Sequence, residues 1–413
     1  MKADKKLKLR GKKKRILEKI EYSEQVDETK LQKSSKSKTA RYAARIFLIF
    51  VLSLILLFLI FNINYLTPSK MKEHMSAVFA DMGSGEGYPY HFSSDDIVNF
   101  FSFNTKDKVI LTNKDLIILN SSANPVLNYK HSMSNPIAQY SKDRILLFDQ
   151  GSTKAVMLNQ SGQLLEFPND DKIICGDVSD SGKSVIVSRN EKNKEQVSVY
   201  SFSGKKIMSW NKGSGYIVDA AVSPNGNLLT VGIIDTEDAV ETINVFTFTL
   251  SNAKQKGHTQ FKASSLYDIV YLDSNDLCVL CNDKISVLNS KCETKAAADL
   301  PSVNNQQLYC DKFGHIVNVY SLYNNGKYVV DIFNSDLKKI YSKECEKDIV
   351  KVNTDSNTLA VLYTDKTADV NMIRGKVTYR AKFNIDPFFI VCKSKQVFGC
   401  SNGMVEKVKA LKQ

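Results

Sequence analysis

One tryptophan, five histidines and eight prolines are spread over 413 residues, and these scarcities remove several classes of chemistry. The histidines (74, 91, 131, 258, 315) include no H-x-x-x-H pair and no carboxylate at a recurring distance, so no histidine metal site or histidine-based catalytic set can be written. No G-x-S-x-G elbow is present, which excludes the usual serine hydrolase turn. The only close cysteine pair is Cys278 and Cys281, and no second pair joins it. On a strand, residues three apart point to opposite faces, so this C-x-x-C is not a redox or zinc site. All eight cysteines follow residue 66, most within apolar runs such as "DLCVLC", and read as small buried hydrophobes. Whether any are bridged stays open. Asp177, Asp180, Asp219 and Asp311 could converge on a calcium ion, but their places near turns suit local backbone hydrogen bonding better. No catalytic residue, metal ligand or cofactor is assigned, and the chain reads as not an enzyme.

Excess basic charge is confined almost entirely to one end. Residues 1–45 carry 16 Lys and Arg against 6 Asp and Glu, whereas the remaining 368 residues hold 40 against 38. The tail lacks interleaved aromatics and any recognisable motif, so nucleic acid is not an expected partner. Beside it runs "IFLIFVLSLILLFLIF", Ile46–Phe61, with no charge from Ile46 to Ser69. As a helix at ~1.5 Å per residue, that stretch spans about 36 Å, enough for a hydrocarbon core of roughly 30 Å. The sequence predicts an uncleaved transmembrane helix over 46–66, with the lipid bilayer as partner and Tyr65 at its interface. Arg41, Arg45 and the residues before them hold the tail on the cytoplasmic side. Four regions result: a largely disordered basic tail (1–45), the helix (46–66), a juxtamembrane connector (67–91) and an extracytoplasmic domain (92–413). The tail would meet anionic lipid or a cytoplasmic partner. In the connector, Met75, Val78, Phe79 and Met82 recur at helical spacing before "GSGEGYPY" breaks the pattern.

The outer domain is rich in Tyr, Phe and β-branched residues, an all-β profile. It repeats one device eight times, a short turn between two apolar runs. The turns end at Asp107, Asp143, Gly182, Gly226, Asn275, Gly314, Asn357 and Lys395, spaced 36, 39, 44, 49, 39, 43 and 38 residues apart. Seven of these eight residues are Gly, Asn or Asp, the types that take a left-handed backbone most cheaply. A period near 40 with about four short strands per unit is a propeller signature. Eight blades are expected, or seven if the first unit is partly a closing strand. The last unit has room for three strands, "FFIVC", "QVFGC" and "MVEKVKA", and the fourth would come from the far end of the domain, Tyr88–Ser93.

The turns "SPNG" and "SDSG" resemble those of bacterial propellers of the WD40-like and TolB-like groups. The layout of basic tail, single helix and outer propeller resembles that of bacterial single-pass membrane proteins. The Trp-Asp dipeptide of true WD40 repeats is absent. The resemblance implies fold and is silent on activity. A binding or scaffolding platform at the cell envelope is the expected role, with a protein or glycan on its loops. The alternative is an envelope hydrolase or lyase with its site in the central channel, which the mostly apolar innermost strands disfavour. The expected partner-binding residues lie on unrepeated connectors: Arg189, Trp210, Tyr216, Asp235 and Asp238, with Trp210 alternatively packing between blades.

Overall fold

Runs such as "SVIVS" and "LAVLY" are apolar at nearly every position because both faces of the strands they form are covered. Outer runs such as "TKAAAD" alternate between half-buried and exposed. That contrast is what a ring of radially packed sheets requires. In the computed structural model, the described residues are 45–54, 56–57, 75, 83–93, 96–104, 106–190, 192, 194–262, 264–301, 307–321, 327–375 and 377–412. The chain divides into two units, 1–75 and 76–413.

In the first unit, residues 45–54 are helical and Ile46, Phe47, Leu48, Ile49 and Phe50 expose their side chains. Among the described residues, no helix is long and apolar enough to cross a membrane. The basic tail through residue 44, residues 58–66 of the expected span with Tyr65, and Val78, Phe79 and Met82 of the connector lie outside the described residues.

The second unit is an all-β propeller of eight antiparallel sheets, the first seven each built on four consecutive strands running outward from the axis. The chain first contributes β1 (Tyr90–His91). Blade 1 is β2 (Ile97–Phe103), β3 (Asp107–Thr112), β4 (Asp115–Leu119) and β5 (Pro125–Lys130), and blade 2 is β6 (Pro136–Tyr140), β7 (Ile145–Asp149), β8 (Ala155–Asn159) and β9 (Gly162–Glu166). Blade 3 follows as β10 (Lys172–Val178), β11 (Ser184–Arg189), β12 (Glu195–Tyr200) and β13 (Lys206–Asn211), and blade 4 as β14 (Tyr216–Val222), β15 (Leu228–Glu237), β16 (Val240–Thr249) and β17 (Lys254–Lys262). Blade 5 comprises β18 (Leu266–Tyr271), β19 (Leu277–Cys281), β20 (Lys284–Leu288) and β21 (Thr294–Asp299), and blade 6 β22 (Gln307–Cys310), β23 (Ile316–Ser321), β24 (Tyr328–Phe333) and β25 (Lys339–Cys345). Blade 7 holds β26 (Ile349–Asp355), β27 (Thr358–Tyr363), β28 (Thr367–Met372) and β29 (Thr378–Lys382). Blade 8 holds β30 (Phe389–Lys393), β31 (Gln396–Ser401) and β32 (Met404–Lys409), and β33 (Leu411–Lys412) adds a fifth strand to blade 7.

Ring closure follows the expectation. β1 supplies the outermost strand of blade 8, pairing Tyr90 with Val405 and His91 with Met404. Glycines seat the segment before it: Gly85 donates its N–H to Ser122 Oγ and Gly87 donates to the Ser122 carbonyl, so this stretch lies on the β4–β5 turn of blade 1. A Cβ at Gly85 would stand 2.4 Å from the Ser122 carbonyl oxygen.

Eight apolar clusters fill the eight interfaces between neighbouring blades. The strand period of two distributes side chains between them. Along β27, Leu359, Val361 and Tyr363 pack toward blade 6, whereas Ala360 and Leu362 pack toward blade 8. The same alternation separates Cys278, facing blade 6, from Cys281, facing blade 4. All eight cysteines are free thiols, and burial raises Cys281 to about 12.

All eight expected turns connect the first and second strands of their blades. Gly182, Gly226 and Gly314 have the left-handed φ that their identity suggested, but in blades 1, 7 and 8 that conformation falls on Asn104, Ser356 and Ser394 instead. In blades 7 and 8 the turn is only two residues long, which moves the left-handed position one residue earlier. Gly226 meets a second demand. The Ser181 N–H donates to the Pro224 carbonyl and Lys183 Nζ donates to the Gly226 carbonyl, so the turns of blades 3 and 4 interlock.

Candidate functional site

Strand direction assigns every loop to one of two faces. First-to-second and third-to-fourth turns share one, the turn face, and blade-to-blade connectors share the other with second-to-third turns, the connector face. Arg189 ends β11 and Tyr216 begins β14, so both reach the connector face. There Arg189 Nε donates to Glu195 Oε1 at 2.8 Å and the guanidinium stands 5.3 Å from the Tyr216 ring centre. Glu195 is buried and also accepts the Ile217 N–H, tying blade 3 to blade 4 beneath the pair. Asp235 accepts a 3.0 Å hydrogen bond from the Ser214 hydroxyl, in the same connector that presents Tyr216. These three residues form one patch. Asp238 stands apart at the tip of the β15–β16 hairpin, whose ten-residue strands carry the acidic stretch Asp235 to Glu241 toward solvent. Trp210 does not join them. Its ring lies 5.0 Å from Phe248 and 6.1 Å from Phe246, half-buried in the wedge between blades 3 and 4.

The innermost strands add what the sequence reading passed over. Five of them, β2, β10, β14, β18 and β26, carry a bulge after their first residues. Beside these bulges and at the strand starts, large apolar side chains are exposed at the connector-face end of the innermost strands. Tyr216 is 59% exposed, Tyr267 51%, Phe388 51% and Val98 40%. Four blades thus each expose one such side chain at this end, the rim of the connector face, and of the four Tyr267 also lines the central channel. A bulge is a product of pairing, and nothing in a single strand's sequence marks it.

Below the rim is a channel of about 600 Å³, lined by side chains of blades 1, 2, 5, 6, 7 and 8. Its wall includes Asn99, Gln307, Lys351 and Asn353, with Tyr140, Tyr309, Lys312 and Asp355 deeper. The innermost strands, expected to be mostly apolar, also carry Asp177, Asp219 and Asp268, and they spend these carboxylates on neighbouring backbone. Asp177 Oδ2 accepts the Val222 N–H at 2.9 Å, and Asp219 Oδ2 accepts the Ile269 N–H at 2.8 Å. Asn353 Oδ1 does the same for the Cys392 N–H at 3.0 Å. Each bond crosses from one blade to the next. Burial pushes the Asp177 carboxyl up to about 6, against two backbone N–H donors that pull it down. Burial and the adjacent Asp268 carboxyl raise Asp219 well above the ordinary range, and burial raises Asp268. Two carboxyls so placed favour holding one proton between them.

Of the four aspartates considered for calcium, Asp177 and Asp219 act as these inter-blade ties. Asp180 accepts the Lys142 N–H, and Asp311 accepts the Phe313 and His315 N–H groups and pairs with the His315 ring at 2.9 Å. Among the described residues, no cluster of three or more His, Cys, Asp or Glu could hold a metal.

Several solved propellers share the fold. The computationally designed Ika8 protein superposes with a TM-score of 0.57 at 12% identity, covering 79% of this chain and 98% of that one. The C-terminal WD40 domain of Sif2 gives 0.54 at 11% identity, covering 78% and 98%. Chaetomium thermophilum Sqt1, bound to the N-terminus of the ribosomal protein L10, gives 0.51 at 11% identity, covering 79% and 98%. No curated protein matches the chain. Residues 89–409, from the closing strand to the end of β32, match DUF5711, described as a family of unknown function, and the chain belongs to that family.

Proposed function

We propose that the chain is a membrane-anchored, extracytoplasmic propeller that binds a protein partner on its connector face, at a bacterial cell envelope. The observation that carries the binding reading is the set of four exposed apolar side chains at the connector-face ends of four innermost strands. Scattered single residues of this kind are ordinary on a surface; four at similar places on four blades of one face are not. Beside Tyr216, Arg189 and Asp235 supply the polar border that recognition surfaces use, and Asp238 extends it at the tip of the β15–β16 hairpin. Trp210 supports them by packing the wedge beneath. The likeness to Sqt1, a propeller bound to the N-terminus of another protein, supports a protein partner in preference to a glycan. The inner-strand carboxylates engage backbone N–H groups, which favours a binding role over channel catalysis.

The membrane part of the proposal rests on Ile46–Phe61 and its charged flank. An epitope tag at the N-terminus should be hidden from antibody in intact cells, and one at the C-terminus accessible. The reverse would refute the orientation. For binding, a photocrosslinking side chain at Tyr216 or Tyr267 in intact membranes should capture a discrete adduct, and one at Lys254 on the outer edge should not. Absence of an adduct at both rim positions would refute the connector face as the binding surface.

A further inference from the structure

The channel beneath the rim has a chemical preference of its own. Asn99 and Asn353 each have their amide oxygen occupied, by the Phe100 N–H at 2.8 Å and the Cys392 N–H at 3.0 Å. Their NH₂ groups are therefore what they offer to the cavity. Two residues before Asn353 on β26 stands Lys351, exposed and lining the same cavity, with the Phe389 ring 5.9 Å from its ammonium. Among the described residues Lys351 makes no ion pair. The carboxylates that share the cavity are differently placed. Asp311 is engaged by His315 and its own turn, and Asp355 lies at the turn-face end in the field of Lys312, Lys393 and Lys108. The upper wall is thus rich in donors and carries an uncompensated positive charge. Tyr267 lines the same cavity.

We propose that the channel mouth receives an acidic segment of the partner, with one carboxylate seated between Lys351, Asn99 and Asn353 while flanking residues rest on Tyr267 and Phe388. A volume of about 600 Å³ accommodates a side chain and a few backbone units, within the ~300–1,000 Å³ typical of ligand cavities. Phe388 is not part of that cavity's lining, so a ligand that uses both must be longer than a small anion. This inference rests on the connector face being the binding surface.

The test uses a phage-displayed library of random dodecapeptides, selected on the purified full chain in detergent. Enriched peptides should carry Asp or Glu at a recurrent position. Synthetic versions should bind Lys351→Met at least about tenfold more weakly, the usual worth of a charge-assisted hydrogen bond. Lys351→Arg should recover most of that loss. Lys312→Met, at the turn-face end, should change affinity less than twofold. Each variant's melting temperature is measured alongside, and Lys351→Met should leave it unchanged because no ion pair is lost. Enriched peptides without acidic residues, equal binding to wild type and Lys351→Met, or a larger loss at Lys312 would each overturn the proposal, as would a library that yields no binder. Crosslinking at Tyr216 or Tyr267 tests the platform separately. An adduct there, together with failure of the acidic peptides, would sink this inference and leave the platform standing.

Discussion

Replacing Asp177 by Asn should make the propeller more stable at pH 8 and leave it no more stable at pH 4.5. Asp177 holds the Val222 N–H across the blade 3–blade 4 boundary, and an amide oxygen could hold it as well. The molecule already does this at Asn353, two residues past the bulge of β26 as Asp177 is past that of β10. The carboxylate carries a cost that the amide lacks. Its folded-state pKa is about 6 against an ordinary value of 3.8, raised chiefly by burial. Below the lower value both folded and unfolded chains are protonated and no cost exists. Between the two values the folded protein keeps a proton that the unfolded chain has released, so stability falls as pH rises. Above about 6 the loss is complete, at ~1.4 kcal/mol per unit or about 3 kcal/mol in all. Leaving the new NH₂ group without a good partner takes back about 1 kcal/mol, so the net gain at pH 8 is about 2 kcal/mol. Unfolding entropy near 2.1 cal/mol/K per residue over about 320 residues turns this into a rise of about 3 °C in melting temperature. Thermal melts of both proteins followed by circular dichroism at pH 4.5, 6 and 8 would check it. A difference that does not vary with pH, or a less stable variant at pH 8, would show that the Asp177 carboxylate does not carry the burial cost assigned to it.

Other perturbations probe separate links. Gly226→Ala should lose about 2–3 kcal/mol in denaturant unfolding, because φ there is +69° and the new Cβ would stand 2.2 Å from Ser181 Oγ. Adding Ser181→Gly should recover the steric share and leave the backbone share. At the hairpin tip, Asp238 and Ala239 both hold left-handed φ, +50° and +63°. Ala239→Gly should therefore stabilise the protein by up to about 1 kcal/mol in the same assay, since a Cβ is disfavoured there.

The architecture was legible because a propeller writes itself as a period. Eight turns near 40 residues apart gave the blades, and the shortage of one strand after Phe388 pointed to Tyr88–Ser93, where β1 now closes blade 8. Each of these is local in sequence or a simple count. The fifth strand of blade 7 was not legible, since Leu411 and Lys412 look no different from the strand before them. Nor was the left-handed residue of each turn, because turn length decides its place and the identity of one residue does not.

The site was legible only where chain geometry forced it. Arg189 ends a strand, Tyr216 begins one and Asp235 lies two residues from the end of another, and strand direction alone sends them to one face. Trp210 sits one residue from the same connector, yet its side chain turns inward to Phe248, a choice set by which face of β13 meets blade 4. The channel was hidden for a deeper reason. "IVDAAV" and "LYDIVY" read as apolar strands with one stray carboxylate each, and the pairing of Asp219 with Asp268 exists only once two blades are side by side. Lys351 was equally opaque. Its meaning depends on Asn99 from blade 1 and Asn353 from its own strand having their oxygens already engaged, and on the carboxylates of blades 6 and 7 lying at the far end. A propeller assembles its central site from strands about 40 residues apart, one contribution from each. The repeat that makes the fold readable therefore scatters the site, and the unrepeated residues at equivalent positions of the innermost strands are where a sequence of this family should be searched first.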